Sequence, residues 1–364
     1  MSRTVAVIGG GYGGVAVAKA LESGADVILI DPRDAFVNAA AALRALTQPG
    51  WAGNMFFPYK TLLTQGEVIR DRAVSVDTTG VTLASGEHVA ADYVVLATGS
   101  SYAYPAKPSS DSIGEALDDL RRTHKELLRA DKVLILGAGP VGLELAGEIK
   151  EVWPDKHVTI ADPAEELLPG FTPEVVEDLR GQLDALGVEV HLGTGLAASP
   201  SAEAGRAGAF TATTTDGDEI TADIWFRAYG TSINSDYLAD GKLTPRTPQG
   251  QVPVTEFLNV KGHDHVYAVG DITDVAEAKM AAYAMQHAEV VAKNITAQLN
   301  GEQPTATYQP PPFPMILLPL GTSGGVGQLP SPDGPVAAPA AMVSEYKGAD
   351  LFTGRFTKQF GPTA

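Results

Sequence analysis

The chain has 364 residues and a formal net charge of −18, which disfavours nucleic acid as a partner and opposes broad adhesion to anionic lipid. It contains no cysteine, which excludes structural disulfides, thiolate metal ligands and a redox-active disulfide, and we predict no metal site. No apolar run reaches about 18 residues, so we expect no transmembrane helix.

The N-terminal stretch carries a nucleotide fingerprint. The apolar run Val5–Ile8 predicts a buried strand, and Gly9-x-Gly11-x-x-Gly14 follows it and opens a helix. In such a loop Gly9 allows the tight turn, Gly11 lets the backbone approach a pyrophosphate, and Gly14 lets the helix pack on the strand. Asp31 ends the next apolar strand, 22 residues after Gly9, where a carboxylate accepts hydrogen bonds from ribose hydroxyls. The residues of this loop that we assign to a cofactor are Gly9, Gly11, Tyr12, Gly13 and Gly14.

The segment between the fingerprints has three notable parts. Asp34–Leu46 predicts a helix, with apolar residues near helical spacing. Gly50–Thr61 is rich in aromatic residues, which suit either a ligand pocket or core packing, and the sequence does not choose between these. The apolar strand Asp92–Ala97 ends in Thr98-Gly99, and we assign Ala97, Thr98 and Gly99 to the first nucleotide.

A second fingerprint follows a crossover linker and a charged helix. A strand leads into Gly137-x-Gly139-x-x-Gly142, and after a helix and another strand the chain reaches Asp162. Two fingerprints imply that two nucleotides are held at once and exchange electrons. We expect Asp162 to favour NADH over NADPH, because its carboxylate would repel a 2′-phosphate. Alternatively, Asp162 is an acidic loop residue without a role in nucleotide binding. The loop residues assigned to this nucleotide are Gly137, Gly139, Pro140, Val141 and Gly142.

The chain then returns to the first nucleotide. The strand Asp223–Ala228 is followed by Tyr229-Gly230. This is a degenerate copy of the Ala97-Thr98-Gly99 motif, with Tyr in place of Thr. A later apolar strand ends in Gly270-Asp271, a pattern typical of flavoproteins, and we expect the carboxylate of Asp271 to accept hydrogen bonds from the ribityl hydroxyls of FAD. Ala276–Leu299 predicts a long helix whose N-terminus points at the flavin ring.

The tail, residues 309–364, differs in composition from the rest. We predict a glycine turn at Gly321–Gln328, irregular chain over Ser331–Pro339, and near-helical spacing of apolar residues over Asp350–Phe360. Three interpretations stay open. The apolar residues of the tail build a quinone slot, or they make weak contact with a membrane surface, or the tail packs as a cap on the nucleotide domains.

With two fingerprints, Ala97-Thr98-Gly99 and Gly270-Asp271 in this order, the sequence resembles the FAD/NAD-linked pyridine nucleotide oxidoreductase superfamily. It is most similar to the ferroptosis-suppressor branch, also called apoptosis-inducing-factor-like, and type II NADH:quinone dehydrogenases are related. The stretches that carry this resemblance are Asn38–Arg44, Gly142–Lys150, Lys279–Ala281, His287-Ala288, Tyr308-x-Pro310 and Gly325–Gln328.

The resemblance implies an α/β fold with two Rossmann-like dinucleotide-binding domains and a small C-terminal α+β domain. We expect a discontinuous FAD domain at residues 1–105 and 232–300. The NAD(P)H domain would span residues 106–231 and the C-terminal cap or acceptor domain residues 301–364. The cofactors expected are FAD and NADH, with NADPH less favoured.

The resemblance also implies an enzyme that oxidises NAD(P)H and reduces quinones. Lys279 then sits near the isoalloxazine, where a cation tunes flavin electronics, and Glu144 sits near the nicotinamide or pairs with a neighbouring cation. Asp271 holds the ribityl chain, and Arg44, within the first matching stretch, is assigned to the cofactor set. His287 either packs on its helix or lies near the flavin.

Other functions also fit parts of the pattern. They are a ferredoxin or rubredoxin reductase, a specialised biosynthetic flavin oxidoreductase, and a redox-sensitive binding module. We expect a small-molecule acceptor, with monomer and homodimer both open. The protein is expected to be cytoplasmic, with peripheral contact at the inner face of a membrane as the alternative. Residue 2 is Ser, so the myristoylated glycine of the branch is missing.

Overall fold

The computed structural model of the chain describes residues 3–361. Its first third contains β1 (Thr4–Ile8), α1 (Tyr12–Leu21), β2 (Asp26–Ile30), β3 (Ala35–Val37), α2 (Ala42–Thr47), β4 (Phe56–Pro58), β5 (Gly66–Ile69), β6 (Ala73–Asp77), β7 (Gly80–Leu83), β8 (His88–Ala90), β9 (Tyr93–Leu96) and β10 (Ser100–Ser101). The middle contains α3 (Ile113–Arg129), β11 (Lys132–Leu136), α4 (Pro140–Val152), β12 (His157–Ala161), α5 (Pro173–Leu186), β13 (Val188–His191), β14 (Phe210–Thr213), β15 (Glu219–Ala222), β16 (Ile224–Arg227) and β17 (Ser232–Ile233). The last part contains β18 (Val266–Ala268), α6 (Ala281–Leu299), β19 (Ile316–Leu320), β20 (Gly324–Ser331), β21 (Gly334–Ala338), α7 (Ala340–Val343) and α8 (Thr353–Phe360).

The first core is a five-stranded parallel sheet in the order β18-β9-β1-β2-β5. Its central strands are apolar because both faces are covered, and Val5, Val7 and Val95 are fully buried. Helices α1 and α6 pack together against it. Strand β18 of this sheet follows all strands of the second sheet in the sequence. The first sheet is therefore discontinuous in sequence.

The second core is a four-stranded parallel sheet in the order β13-β12-β11-β16. Strand β11 takes the place that β1 takes in the first sheet. Each is flanked by the next parallel strand and by one that returns later. The predicted pair of Rossmann-like units is confirmed, whereas the domain boundaries at residues 105, 231 and 300 remain a proposal.

The C-terminal part forms an antiparallel sheet, β19-β20-β21, followed by short helices. This confirms the predicted α+β unit. Strand β19 crosses helix α4 so closely that a Cβ on Gly147 would lie 2.6 Å from the Cα of Leu320. The C-terminal sheet is thus seated directly on the helix that follows the second fingerprint.

Helix α8 closes the first core from outside. Phe356 and Phe360 are 1% and 2% exposed, and Phe356 packs on Phe36 with ring centroids 4.6 Å apart. Phe360 stacks on the same ring at 5.3 Å. These two side chains are core residues and are not available to a bilayer. None of the helices within residues 3–361 combines the length and the apolarity that crossing a bilayer requires.

Two predictions for the tail are wrong. Residues 324–328 lie in β20 and not in a turn, and Gly334–Ala338 forms β21 where irregular chain was expected. The glycines serve close strand packing, since a Cβ on Gly327 would lie 2.8 Å from the Cβ of Ala338. Gln328 is fully buried and its side chain bridges the Thr172 N–H and the Pro314 carbonyl, which pins the strand from both sides.

Two helix predictions also need correction. Residues 35–37 form a strand paired with β4 because Phe36 is held among aromatic rings, and the α-helix begins only at Ala42. The long helix begins at Ala281 and not at Ala276. A hydrogen bond from Tyr308 to Glu277, together with the contacts of Lys279 within its own loop, holds the preceding residues in a loop.

A buried ion pair joins the three parts of the molecule. Arg44 of α2 is 1% exposed and binds both carboxylate oxygens of Glu148 on α4, with an Nη2–Oε1 distance of 2.7 Å. Its Nη1 donates to the carbonyl of Ala349 at 3.1 Å. Burial raises the pKa of Glu148, and the Arg44 guanidinium opposes that rise. Removing either partner therefore leaves the other side chain as an unpaired polar group inside the protein.

We expect Arg44→Met or Glu148→Met alone to lower the free energy of unfolding by about 3–5 kcal/mol, because each leaves an uncompensated buried charge. The double variant, with two apolar side chains, should recover most of that loss. Chemical denaturation of the four proteins measures both effects. Arg121→Met, which breaks the exposed pair with Asp118, serves as the control and should change little. A double variant less stable than both single variants would contradict the assignment.

Candidate functional site

The first glycine loop is shaped by backbone contacts at both ends. Gly9 has a φ of +101°, and a Cβ there would lie 2.5 Å from the carbonyl oxygen of Ala97. A Cβ on Gly14 would overlap the carbonyl oxygen of Gly9. In contrast, no atom lies within 4 Å of a Cβ built on Gly11. The fold itself requires Gly9 and Gly14, whereas the space beside Gly11 is open to a ligand.

The second loop repeats this arrangement. A Cβ on Gly137 would lie 2.5 Å from the carbonyl oxygen of Ala228, and one on Gly142 would overlap that of Gly137. Gly139 again faces open space. Each loop leads directly into a helix, α1 or α4, whose first N–H groups and dipole favour an anion. The chain therefore contains two cradles that fit a diphosphate.

The predicted ribose-binding acids brace the same two loops. Asp31 is 3% exposed, and its carboxylate accepts from the N–H groups of Gly10 at 2.6 Å and Arg33 at 2.8 Å. Burial raises the pKa of Asp31, opposed by Arg33 and these N–H donors. Asp162 accepts in the same way from Ala138 at 2.6 Å and Ala164 at 2.7 Å. Each oxygen keeps a further lone pair for a ribose hydroxyl.

The Gly270-Asp271 turn follows β18 and lies beside the end of β9. Asp271 accepts from the hydroxyl of Ser100 at 2.5 Å, and Lys107 donates to the same hydroxyl at 3.1 Å and to the Ser100 carbonyl. Lys279 donates to two main-chain carbonyls, with Nζ distances of 3.0 and 3.1 Å. Burial lowers the pKa of both lysines, and Asp271 opposes that shift. Two cations thus flank the predicted flavin-binding carboxylate.

Within the described chain, the structure does not bring the two predicted catalytic residues into contact. The contacts of Lys279 are with its own loop. Glu144 accepts from Lys347 at 2.7 Å, with both side chains largely buried, and Lys347 also donates to the Leu317 carbonyl at 3.1 Å. Of the two roles the sequence left open for Glu144, the structure shows the pairing with a cation.

The contacts of Arg44 are with helix α4 and the C-terminal unit. Four of its hydrogen bonds go to Glu148 and to Ala349, and its guanidinium lies 5.4 Å from the ring centroid of Trp51. These contacts give Arg44 a structural role between the parts of the molecule. Its contact with a cofactor stays a prediction.

The remaining predicted residues lie around the two cradles. Tyr12, at the start of α1, donates to Asn38 at 2.9 Å, and Thr98 donates to the Asn234 carbonyl at 2.6 Å. Tyr229 is half exposed beneath the guanidinium of Arg227. The other predicted cofactor-binding residues lie on the two glycine loops or at the ends of neighbouring strands. They are Gly13, Ala97, Gly99, Pro140, Val141 and Gly230.

Several residues at the site escaped the sequence analysis. Lys107 and Lys347 lie in segments without a recognised motif, so no local pattern marked them. Tyr59 belongs to the aromatic stretch that was noted, and its hydroxyl donates to the Gly10 carbonyl at 2.7 Å. Tyr59 is 4% exposed, so it is a core residue, and its hydrogen bond stabilises the first glycine loop.

Comparison with known proteins agrees with this geometry. A family model described as pyridine nucleotide-disulphide oxidoreductase matches residues 3–290, and the chain belongs to this family. It is thus an oxidoreductase that depends on FAD and a pyridine nucleotide. The chain is 31% identical to ferroptosis suppressor protein 1 of Xenopus tropicalis over 374 residues, covering 100% of this chain and 97% of that protein. With the human protein of the same name it is 31% identical, covering 89% and 88%.

Solved structures share the fold. The sulfide:quinone oxidoreductase of Aquifex aeolicus superposes with a TM-score of 0.76 at 18% identity, covering 99% of this chain and 91% of the other. NDH2 of Plasmodium falciparum, solved in complex with NADH, gives 0.72 at 13% identity, covering 100% and 99%. At these identities the likeness concerns the fold alone.

The open space beside the middle glycines gives a direct test of both cradles. We expect Gly11→Val to fold normally but to weaken FAD binding by about 10- to 100-fold, because the side chain fills the cradle. Gly139→Val should keep FAD and lose NADH affinity to a similar extent. Bound flavin absorbance, NADH titration and thermal unfolding measure these effects.

The matched control is Gly14→Ala, which should fail to fold because the new Cβ overlaps the main chain. Undiminished FAD binding by a folded Gly11→Val protein would contradict the assignment of the first cradle.

Proposed function

We propose that the chain catalyses the oxidation of NADH by a quinone-type acceptor, with FAD in the first cradle and NADH in the second. The balanced reaction is NADH + H⁺ + quinone → NAD⁺ + quinol. The observation that supports it best is the repeat of one cradle geometry in two neighbouring sheets, with the Gly270-Asp271 turn following strand β18 of the first sheet. FAD supplies an electron carrier that takes a hydride from nicotinamide and gives two electrons to the second substrate.

Contacts between α4 and the first unit support transfer between the ligands of the two cradles. Burial raises the pKa of Tyr12 on α1, and the charge of Glu144 on α4 adds to this rise. The Arg44–Glu148 pair fastens the same helix to the first unit one turn later. We infer that α4 positions the nicotinamide ring of bound NADH on the side that faces the first cradle.

On the flavin side, this chain supplies dipoles, hydrogen-bond acceptors and positive charge. Asp31 is assigned to the adenosine ribose and Asp271 to the ribityl chain. Lys279 is assigned to the isoalloxazine, as the family resemblance implies. The carboxylates Asp271, Glu277 and Asp274 counter the effect of burial on the pKa of Lys279 and so favour its ammonium form. A cation held in this way stabilises negative charge on a bound ring.

On the nicotinamide side, we assign Glu144 to orientation of the ring and Lys347 to holding Glu144. Lys347 comes from the C-terminal unit, which is seated on α4 through β19. We infer that the acceptor binds at this junction. The absence of cysteine rules out a redox-active cysteine pair in this chain, which is consistent with a small-molecule acceptor.

The charge of Asp162 should set the choice of pyridine nucleotide. We expect Asp162→Asn to raise the ratio of kcat/KM for NADPH over that for NADH by about tenfold, because it removes the repulsion of a 2′-phosphate. Steady-state kinetics with both nucleotides measures the ratio.

Asp31→Asn is the matched control, since Asp31 makes the same contacts in the first cradle. It should weaken FAD binding and leave the nucleotide ratio unchanged. An unchanged ratio in Asp162→Asn would remove Asp162 from the NADH site.

The acceptor is tested by steady-state turnover of the FAD-loaded protein with NADH. We expect a short-chain quinone to support turnover at least about tenfold faster than air or a ferredoxin. Lys347→Met should lower this rate because it releases Glu144, while Lys242→Met, at an exposed lysine paired with Asp240, should not. Fast NADH oxidation with ferredoxin alone would replace the quinone with a protein acceptor.

A further inference from the structure

A buried polar chain lies behind the Gly270-Asp271 turn. His287 of α6 is 0% exposed, and its Nδ1 accepts the main-chain N–H of Gly270 at 3.0 Å. This N–H can only donate, so Nδ1 must carry the lone pair and the ring proton must sit on Nε2. The histidine therefore acts here as an acceptor toward the turn.

The other ring nitrogen faces a buried carboxylate. Nε2 of His287 lies 2.9 Å from Oε1 of Glu277, whose side chain is 5% exposed. The angle at Nε2 is poor for a hydrogen bond, so the attraction between the ring N–H and the carboxylate is mainly electrostatic. The second carboxylate oxygen accepts from the hydroxyl of Tyr308 at 2.5 Å, and the Tyr308 ring packs edge-on against the imidazole at 4.2 Å. Glu277 and Tyr308 together favour the tautomer that the turn requires.

One hydrogen bond joins the turn to α6. Gly270 has a φ of +72°, a left-handed conformation, and a Cβ there would lie 3.0 Å from the Cβ of Ala284. The Gly270 carbonyl is bound within the turn by the N–H and the hydroxyl of Thr273. Among the hydrogen bonds of residues 3–361, the one donated by the Gly270 N–H joins the turn to the helix, and the next residue is Asp271.

We infer that His287 is a positioning residue for flavin binding: it holds the Gly270-Asp271 turn in place, and Glu277 and Tyr308 fix its tautomer. This inference rests on the FAD site of the proposed function. Without the acceptor at Nδ1, a buried N–H is left unpaired and the turn relaxes, so that the Asp271 carboxylate is no longer presented to the ribityl chain. Tyr308 belongs to the segment that leads into the C-terminal unit, which links that unit to the flavin site.

Two amide substitutions separate the two ring nitrogens. Asn can place its Oδ1 where Nδ1 stands, and Gln can place its amide nitrogen where Nε2 stands. We expect His287→Gln to raise the Kd of FAD by about 10- to 100-fold, because the Gly270 N–H loses its acceptor. His287→Asn should stay within about threefold of the natural protein. Fluorescence titration of the apoprotein with FAD measures both, without NADH or an acceptor.

Equal loss of FAD affinity in both variants, or no loss in either, would overturn the inference. Should His287→Gln fail to fold, nitrogen NMR of the natural protein with labelled histidine decides the matter. The inference requires an unprotonated Nδ1 and a protonated Nε2 at His287, and the reverse tautomer would overturn it. If the natural protein binds FAD but shows no NADH turnover, the proposed function is wrong. The FAD titration of the His287 variants would still test the role of His287.

Discussion

The structure depends on the contact between a strand end and the helix that follows it. In both sheets the third glycine of the fingerprint lies against the carbonyl oxygen of the first, as Gly14 does against Gly9 and Gly142 against Gly137. No side chain fits there, so the helix starts beside the strand with its N-terminus aimed past the sheet. The middle glycines, Gly11 and Gly139, are then left facing open space. This single packing constraint, used twice, creates both anion cradles.

Helix α4 connects the second cradle to the first unit and to the C-terminal unit. Glu144 and Glu148 lie one helical turn apart, and each meets a cation from a different part of the chain. Arg44 comes from the first unit and Lys347 from the C-terminal unit. Because these carboxylates and cations are largely buried, each pair stabilises only when complete. The relative placement of the two cradles and of the C-terminal unit therefore depends on a few buried charges along one helix.

The sequence predicted what local spacing controls. The two glycine loops, Asp31, Asp162 and Gly270-Asp271 are each set by a strand, a turn and a helix in immediate succession, so their positions could be inferred from the pattern. Contacts between distant segments could not. Arg44 has no local feature that reveals Glu148, and Lys347 has none that reveals Glu144. Residues 35–37 read as helix by periodicity, but Phe36 is held in a strand by aromatic rings from β4 and α8. Tertiary packing overrode local preference there.

If the two cradles hold a flavin and NADH close enough to react, NADH reduces the bound flavin directly. Anaerobic stopped-flow absorbance, after mixing the FAD-loaded protein with NADH, measures this step. We expect rapid loss of the flavin band with one equivalent of NADH per flavin, and the same flavin content but no rapid loss in Gly139→Val. Flavin absorbance that stays unchanged on mixing the natural protein with NADH would contradict hydride transfer between the cradles and favour a binding role for the protein.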